Sequence, residues 1–296
     1  MSADLSGIAL RIGAAGFFTL MAVSVKMLAG EVPLGQVVFF RSALALVPLV
    51  LFLGATGDFP RGLRTRRPLG HALRCALGCA AMFASFAALR FLPLADAAVL
   101  GYLAPLLSVL LARALLGEAV SRARWVAVGL SLGGVLSLLA PQLGGAAPDG
   151  AYLVGVGLGL AAALLTAGAK IQIRALAMTE NAGAIALYFA LTCAAAGLAT
   201  APFGWVAPDP VQLSWLVCAG ASGGIAHVMM TLAMQRSEVS RLAPVEYLSL
   251  VFAALADALA FGARPDPAFF GAASCIVAAT VIAVAEGRGP RRARAG

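Results

Sequence analysis

Apolar residues along this chain come in long runs, separated by short clusters of charge, proline and glycine. Cutting at those clusters leaves ten runs: 8–28, 34–54, 70–90, 95–116, 122–140, 151–174, 182–203, 211–234, 240–261 and 266–286. Each is near the length of about 20 residues at which an apolar helix crosses a bilayer. The pattern predicts an all-α integral membrane protein of ten transmembrane helices with short connections. The longest connection, ATGDFPRGLRTRRPLG, carries Arg61, Arg64, Arg66 and Arg67.

One run returns. YLAPLLSVLLARALLG, from Tyr102 to Gly117, comes back as YLSLVFAALADALAFG, from Tyr247 to Gly262, with Tyr, Leu and Gly in the same places. The same offset pairs Ala88 with Ala233 and Leu103 with Leu248, and sets Trp125 opposite Phe270. One residue out of step, Lys26 near the end of the first helix faces Lys170 near the end of the sixth. The chain therefore reads as a duplicated unit of five helices, 1–141 and 142–287, followed by a basic tail at 288–296. Five is odd, so the second copy enters the membrane from the opposite face. Such inverted-topology repeats build a site at their interface that opens to either side in turn.

Composition supports the bilayer. Of 296 residues, 61% are hydrophobic and 11% charged, against about 25% charged in soluble domains, and mean hydropathy is +0.95. The net charge of +8 would suggest nucleic acid in a soluble protein. Its placement gives another reason. With the N-terminus inside, only Lys26, Arg41, Arg90 and Arg264 lie toward the outer side. The other basic residues, Arg74 and the tail RGPRRARAG among them, flank the inner one. The bias of Lys and Arg toward cytoplasmic loops places both termini in the cytoplasm, with no nucleic-acid partner and with the tail near anionic lipid. The first run is too long for the apolar part of a cleavable signal. Five cysteines lie inside apolar runs and read as packing residues, with no metal site.

FAALRFLPLADAAVLGYLAPLLSVLLARALLGEAVSRARWVAVGLSLGGVLSLL resembles the ending of an EamA repeat of the drug/metabolite transporter superfamily. LAPVEYLSLVFAALADALAFGARPDPAFFGAASCIVAATVIAV resembles a second such ending, and LGQVVFFRSALAL the family's second helix. The second copy has Ala263 where Gly-Glu commonly ends the motif; the first keeps Gly117-Glu118. The resemblance covers nearly the whole chain. It implies a ten-helix inner-membrane carrier with a central cavity, usually moving amino acids or related small metabolites, often outward.

A charge in the hydrocarbon region costs from a few kcal/mol upward, so each one is a candidate with a partner to find. Lys26 and Lys170 are candidates for substrate binding or coupling, while Lys26 also lies close enough to a helix end to snorkel. Arg41 is about 10 Å deep at 1.5 Å per residue, and either binds a substrate carboxylate bidentately or forms a structural ion pair. His227 and Glu246 fall at matching depth on antiparallel neighbours, while their counterparts in the first copy are Met82 and Gly101. One reading has Glu246 contact a substrate amine or carry a coupling proton, tuned by His227. The other is a structural hydrogen bond.

Pro105 and Pro244 mark kinks that free the carbonyls of Gly101 and Ser240. Tyr102 and Tyr247, beside those kinks, would present a ring or hydroxyl to a substrate or bond between helices. Tyr188 and Trp205 suit the interface, and the glycine runs GVGLGL and GASGG suit close helix approach.

The expectation is a secondary carrier in a bacterial inner membrane, monomer or homodimer, exporting an amino acid or amino-acid-derived compound, metallophores included, by alternating access. No cofactor is expected, and the absence of a nucleotide motif leaves transport either coupled to a gradient, such as that of protons, or uncoupled. Uptake of a vitamin, nucleoside or S-adenosylmethionine-like metabolite is the alternative within transport. A membrane-embedded enzyme finds no nucleophile–base pair, metal cluster or phosphate loop.

Overall fold

A computed structural model of the chain describes residues 3–55, 57, 64–116, 121–143, 149–177, 179–236, 248–263 and 265–287. Among them are eleven α-helices: α1 (Ala3–Met27), α2 (Leu34–Ala55), α3 (Pro68–Ala88), α4 (Leu94–Gly101), α5 (Leu103–Leu116), α6 (Arg122–Leu143), α7 (Gly150–Ala177), α8 (Ala182–Leu198), α9 (Pro210–Arg236), α10 (Leu248–Phe261) and α11 (Pro267–Gly287). Six stretches are long and apolar enough to cross a membrane: Ser6–Met27, Leu34–Ala55, Pro68–Ala88, Leu94–Leu111, Gly150–Leu176 and Pro210–Ala233. Gly183–Leu198, Leu248–Phe261 and Pro267–Ile282 are apolar but shorter within the described residues. Large apolar side chains such as Leu51, Leu136, Leu164 and Leu259 face outward, as a lipid environment requires.

The fourth apolar run is broken at Tyr102, between α4 and α5. Pro105 has no N–H to give the Gly101 carbonyl, so the i to i−4 ladder fails there. Pro244 and its neighbours lie outside the described residues.

In lipid no hydrophobic force draws helices together, so small residues set how closely they approach. Gly197 of α8 rests on the α2 backbone: a Cβ there would lie 2.7 Å from the Gly35 carbonyl oxygen and 2.6 Å from the Phe39 nitrogen. Gly155 and Gly159 of α7, from the GVGLGL run, sit against Leu92 and Leu100. The packing pairs α1 with α9 and α10, α3 with α7 and α8, α2 with α8 and α9, α5 with α7, α4 with α10, and α6 with α11.

Hydrogen bonds sort the connections into two ends. At one, the Gln36 side chain donates to the Val206 carbonyl at 2.8 Å, joining the start of α2 to the α8–α9 connection. There too Tyr152 donates to Asp96 at 2.9 Å. At the other, the Arg66 N–H donates to Glu180 at 3.0 Å and Arg67 to the Ala175 carbonyl at 2.9 Å, joining the start of α3 to the end of α7.

Candidate functional site

Arg41 lies inside α2 and is 5% exposed. Its Nη2 is 3.2 Å from His227 Nε2 on α9, and its Nη1 is 3.9 Å from Met82 Sδ on α3. A guanidinium only donates, so His227 Nε2 accepts and Nδ1 carries the ring proton. Phe18 of α1 meets the His227 ring edge-on, with centroids 5.1 Å apart. Gly223 leaves the space: a Cβ there would come within 3.4 Å of Arg41 Nε, a buried donor with no partner.

Arg74 corrects the sequence reading. Counted with the cytoplasmic flank, it lies instead inside α3 at 9% exposure, with Nε and Nη1 buried and unpartnered. Its side chain does not snorkel to the nearer helix end. It runs the other way, over Gly78, where a Cβ would be 2.5 Å from Nη1. The Phe189 ring of α8 covers the guanidinium at 4.0 Å. Both arginines lie within electrostatic reach of Cys193 and His227. Among the described residues no carboxylate forms an ion pair with either. Two cations among apolar helices without a counter-charge are costly to fold, by several kcal/mol each.

The other candidates fall elsewhere or outside. Glu246, Tyr247 and Pro244 lie outside the described residues. His227, expected beside Glu246, meets Arg41 within the described part. The Tyr102 hydroxyl and Ser249 Oγ of α10 are 2.6 Å apart, which is the interhelical bond weighed for it. Lys170 is exposed near the end of α7.

Lys26 does not snorkel free. Its Nζ is 3.2 Å from Asp257 Oδ1 of α10, and it stands 4.6 Å over the Phe261 ring. Asp257, unremarked in sequence though it lies inside the recurring run, is 2% exposed. It also accepts the Leu94 and Ala95 N–H groups at 2.9 and 2.7 Å. A carboxylate at the α4 N-terminus satisfies orphan donors and meets the positive end of the helix dipole. This knot joins the end of α1 to the start of α4 and to α10. Among the described residues no three His, Cys, Asp or Glu side chains converge on a metal-sized site.

A family model described as the EamA-like transporter family matches twice, over residues 5–140 and 153–285. The S-adenosylmethionine uptake transporter of Rickettsia prowazekii is 28% identical, the match covering 83% of this chain and 80% of that one. The pseudopaline exporter of Pseudomonas aeruginosa is 27% identical over 93% and 95%, and the riboflavin transporter of Rhizobium johnstonii 28% over 89% and 86%. A solved crystal structure aligns over 97% of both chains with a TM-score of 0.65 and 26% identity. With both halves matched by one model and its relatives transporters of small metabolites, the chain belongs to the EamA-like family of the drug/metabolite transporter superfamily and is a membrane carrier, not an enzyme.

Proposed function

We propose that this carrier moves a small carboxylate-bearing metabolite, an amino acid or a compound derived from one, across a bacterial inner membrane by alternating access, with net export. The observation that carries the reading is Arg41: buried at the meeting of α2, α3 and α9, hydrogen-bonded to His227 and, among the described residues, short of an anion. A substrate carboxylate supplies that anion in the form a guanidinium holds best, through two parallel N–H bonds.

Alternating access follows from ten spans arranged as two inverted halves. α4 and α5 form the fourth span, and α7 to α11 are the second copy of α1 to α6. Moving five spans along the chain turns the α1–α9 pairing into α7–α3, α2–α9 into α8–α3, and α5–α7 into α10–α1. It returns α2–α8, α4–α10 and α6–α11 to themselves. This exchange is what a two-fold axis between the halves produces, and the double family match supports it. The end bearing Arg66 and Arg67 is cytoplasmic by the positive-inside rule, as are both termini.

Uptake is the second reading, favoured by the name of one relative, an S-adenosylmethionine uptake transporter. Proteoliposomes with an imposed pH gradient and a labelled amino-acid panel test the proposal. Flux accelerated by the gradient, and uncoupled from it in Glu246→Gln, supports proton coupling through Glu246. Flux of identical size and pH dependence in the variant makes Glu246 structural.

A further inference from the structure

Arg74 has no place in the reading above, which needs one cation for one carboxylate. Two independent features make it more than a flank residue. It is a membrane-embedded guanidinium, 9% exposed, with two donor nitrogens buried and unpartnered. It also spends its length reaching deeper along α3, although the nearer helix end lies within reach of a long basic side chain. Its Nη1 lies at Gly78, whereas Met82 receives Arg41 Nη1. Gly78 and Met82 are four residues apart on one face of α3, about 6 Å at 1.5 Å per residue. The two guanidiniums thus address neighbouring turns of one helix, and His227 and Cys193 lie within electrostatic reach of both.

Like charges this close repel, and each carries its own desolvation cost. The Phe189 ring stacks on the Arg74 guanidinium, but Nε and Nη1 bond nothing among the described residues, so that packing leaves two buried donors unsatisfied. A ligand with two anionic groups separated by about one helical turn neutralises both. Since no carboxylate among the described residues pairs with either arginine, a ligand with a single carboxylate leaves one of these cations without a partner there.

We infer that Arg41 and Arg74 form a paired anion site whose occupant carries two anionic groups, a short dicarboxylate such as an acidic amino acid or a metabolite built on one. This rests on the carrier reading of Arg41 and sharpens its substrate class. Phe189 stacked on Arg74 holds the second fork in place, and Gly78 and Gly223 supply the space for both guanidiniums. Substrates of net positive charge are disfavoured by the same field.

The test is counterflow in proteoliposomes with labelled glutamate, succinate and alanine as probes, for wild type, Arg41→Gln and Arg74→Gln. The inference expects wild type to exchange glutamate or succinate at least about tenfold faster than alanine, a difference of about 1.4 kcal/mol. Arg74→Gln should cut dicarboxylate exchange far more than alanine exchange and so erase the preference. Exchange of alanine alone by wild type, or a preference for dicarboxylates that survives Arg74→Gln, overturns the paired site but leaves the carboxylate carrier standing. Exchange of none of the three overturns the paired site, and counterflow of no compound in the amino-acid panel overturns the carboxylate carrier as well. Thermal unfolding of Arg74→Gln without ligand guards against misfolding. Loss of an uncompensated cation should leave its melting temperature at or above that of wild type, while a marked fall assigns Arg74 to the fold and contradicts the site.

Discussion

Arg41 of α2 and His227 of α9 meet at 3.2 Å, guanidinium to imidazole, a contact between the first and second halves of the chain. Either half alone leaves the arrangement incomplete. Met82 closes one side of the arginine and Phe18 one side of the histidine. The fork of Arg41 is therefore spread over several partners, and this geometry makes the residue type matter as well as its charge.

Arg41→Lys keeps the charge and loses the planar fork. The KM for a carboxylate substrate should rise about tenfold or more, about 1.4 kcal/mol of binding, with protein yield and melting temperature close to wild type. An unchanged KM would show that Arg41 acts as a point charge or not on the substrate at all.

Asp257 holds Lys26 and two N–H groups of α4 at once. Removing one partner of a buried pair strands the other, at about 3–5 kcal/mol. Asp257→Ala should lower the melting temperature strongly in detergent, and Lys26→Met combined with it should recover part of the loss. A double variant no more stable than the single one would show that the pair carries no coupling.

Gly197→Ala inserts a methyl into the α2 backbone where no flexible side chain can yield. Overpacking of this kind costs about 1–3 kcal/mol. Gly204→Ala, in open space but at a φ of 96°, strains only its own turn and is the comparison. Thermal unfolding that ranks Gly204→Ala as the more damaging would contradict the close α2–α8 contact.

Glu180, in the connection between α7 and α8, has its carboxyl below the ordinary glutamate value. Burial works the other way and is outweighed by the hydrogen bond from the Arg66 N–H, with Thr65 nearby and the His71 ring 3.5 Å from the carboxylate. A depressed folded value means the contribution is present above the unfolded value, about 4.5, and is lost as pH falls through the folded one. The melting temperature of wild type should exceed that of Glu180→Gln near neutrality, and the gap should close as pH falls from the ordinary glutamate value through the depressed folded one. A gap that is absent near neutrality, or that does not narrow on acidification, would remove Glu180 from the tie.

The helices were legible because the apolar runs and their breakers set them: the observed boundaries fall within a few residues of the runs at 34–54, 122–140 and 266–286. The break at Tyr102 was legible in Pro105. The partners were not. Arg74 sits near a helix start, where charge counting assigns any arginine to the flank, and only the course of its side chain past Gly78 shows otherwise. Asp257 lay within the recurring run, but its partners Lys26, Leu94 and Ala95 are far away in sequence. His227 was singled out, but its contact with Arg41 crosses between the halves, beyond the reach of a depth argument along neighbouring helices; its expected partner Glu246 lies outside the described residues.

The most direct test of the central claim is binding at Arg41 during transport. Wild type and Arg41→Gln, each monodisperse in detergent, are reconstituted in liposomes preloaded with one unlabelled amino acid, and entry of the labelled compound is followed over a panel. The account predicts counterflow of at least one carboxylate-bearing compound by wild type and a fall of about tenfold or more in Arg41→Gln, the loss expected when a charge-assisted bidentate contact is removed. Counterflow in Arg41→Gln equal to wild type would contradict it.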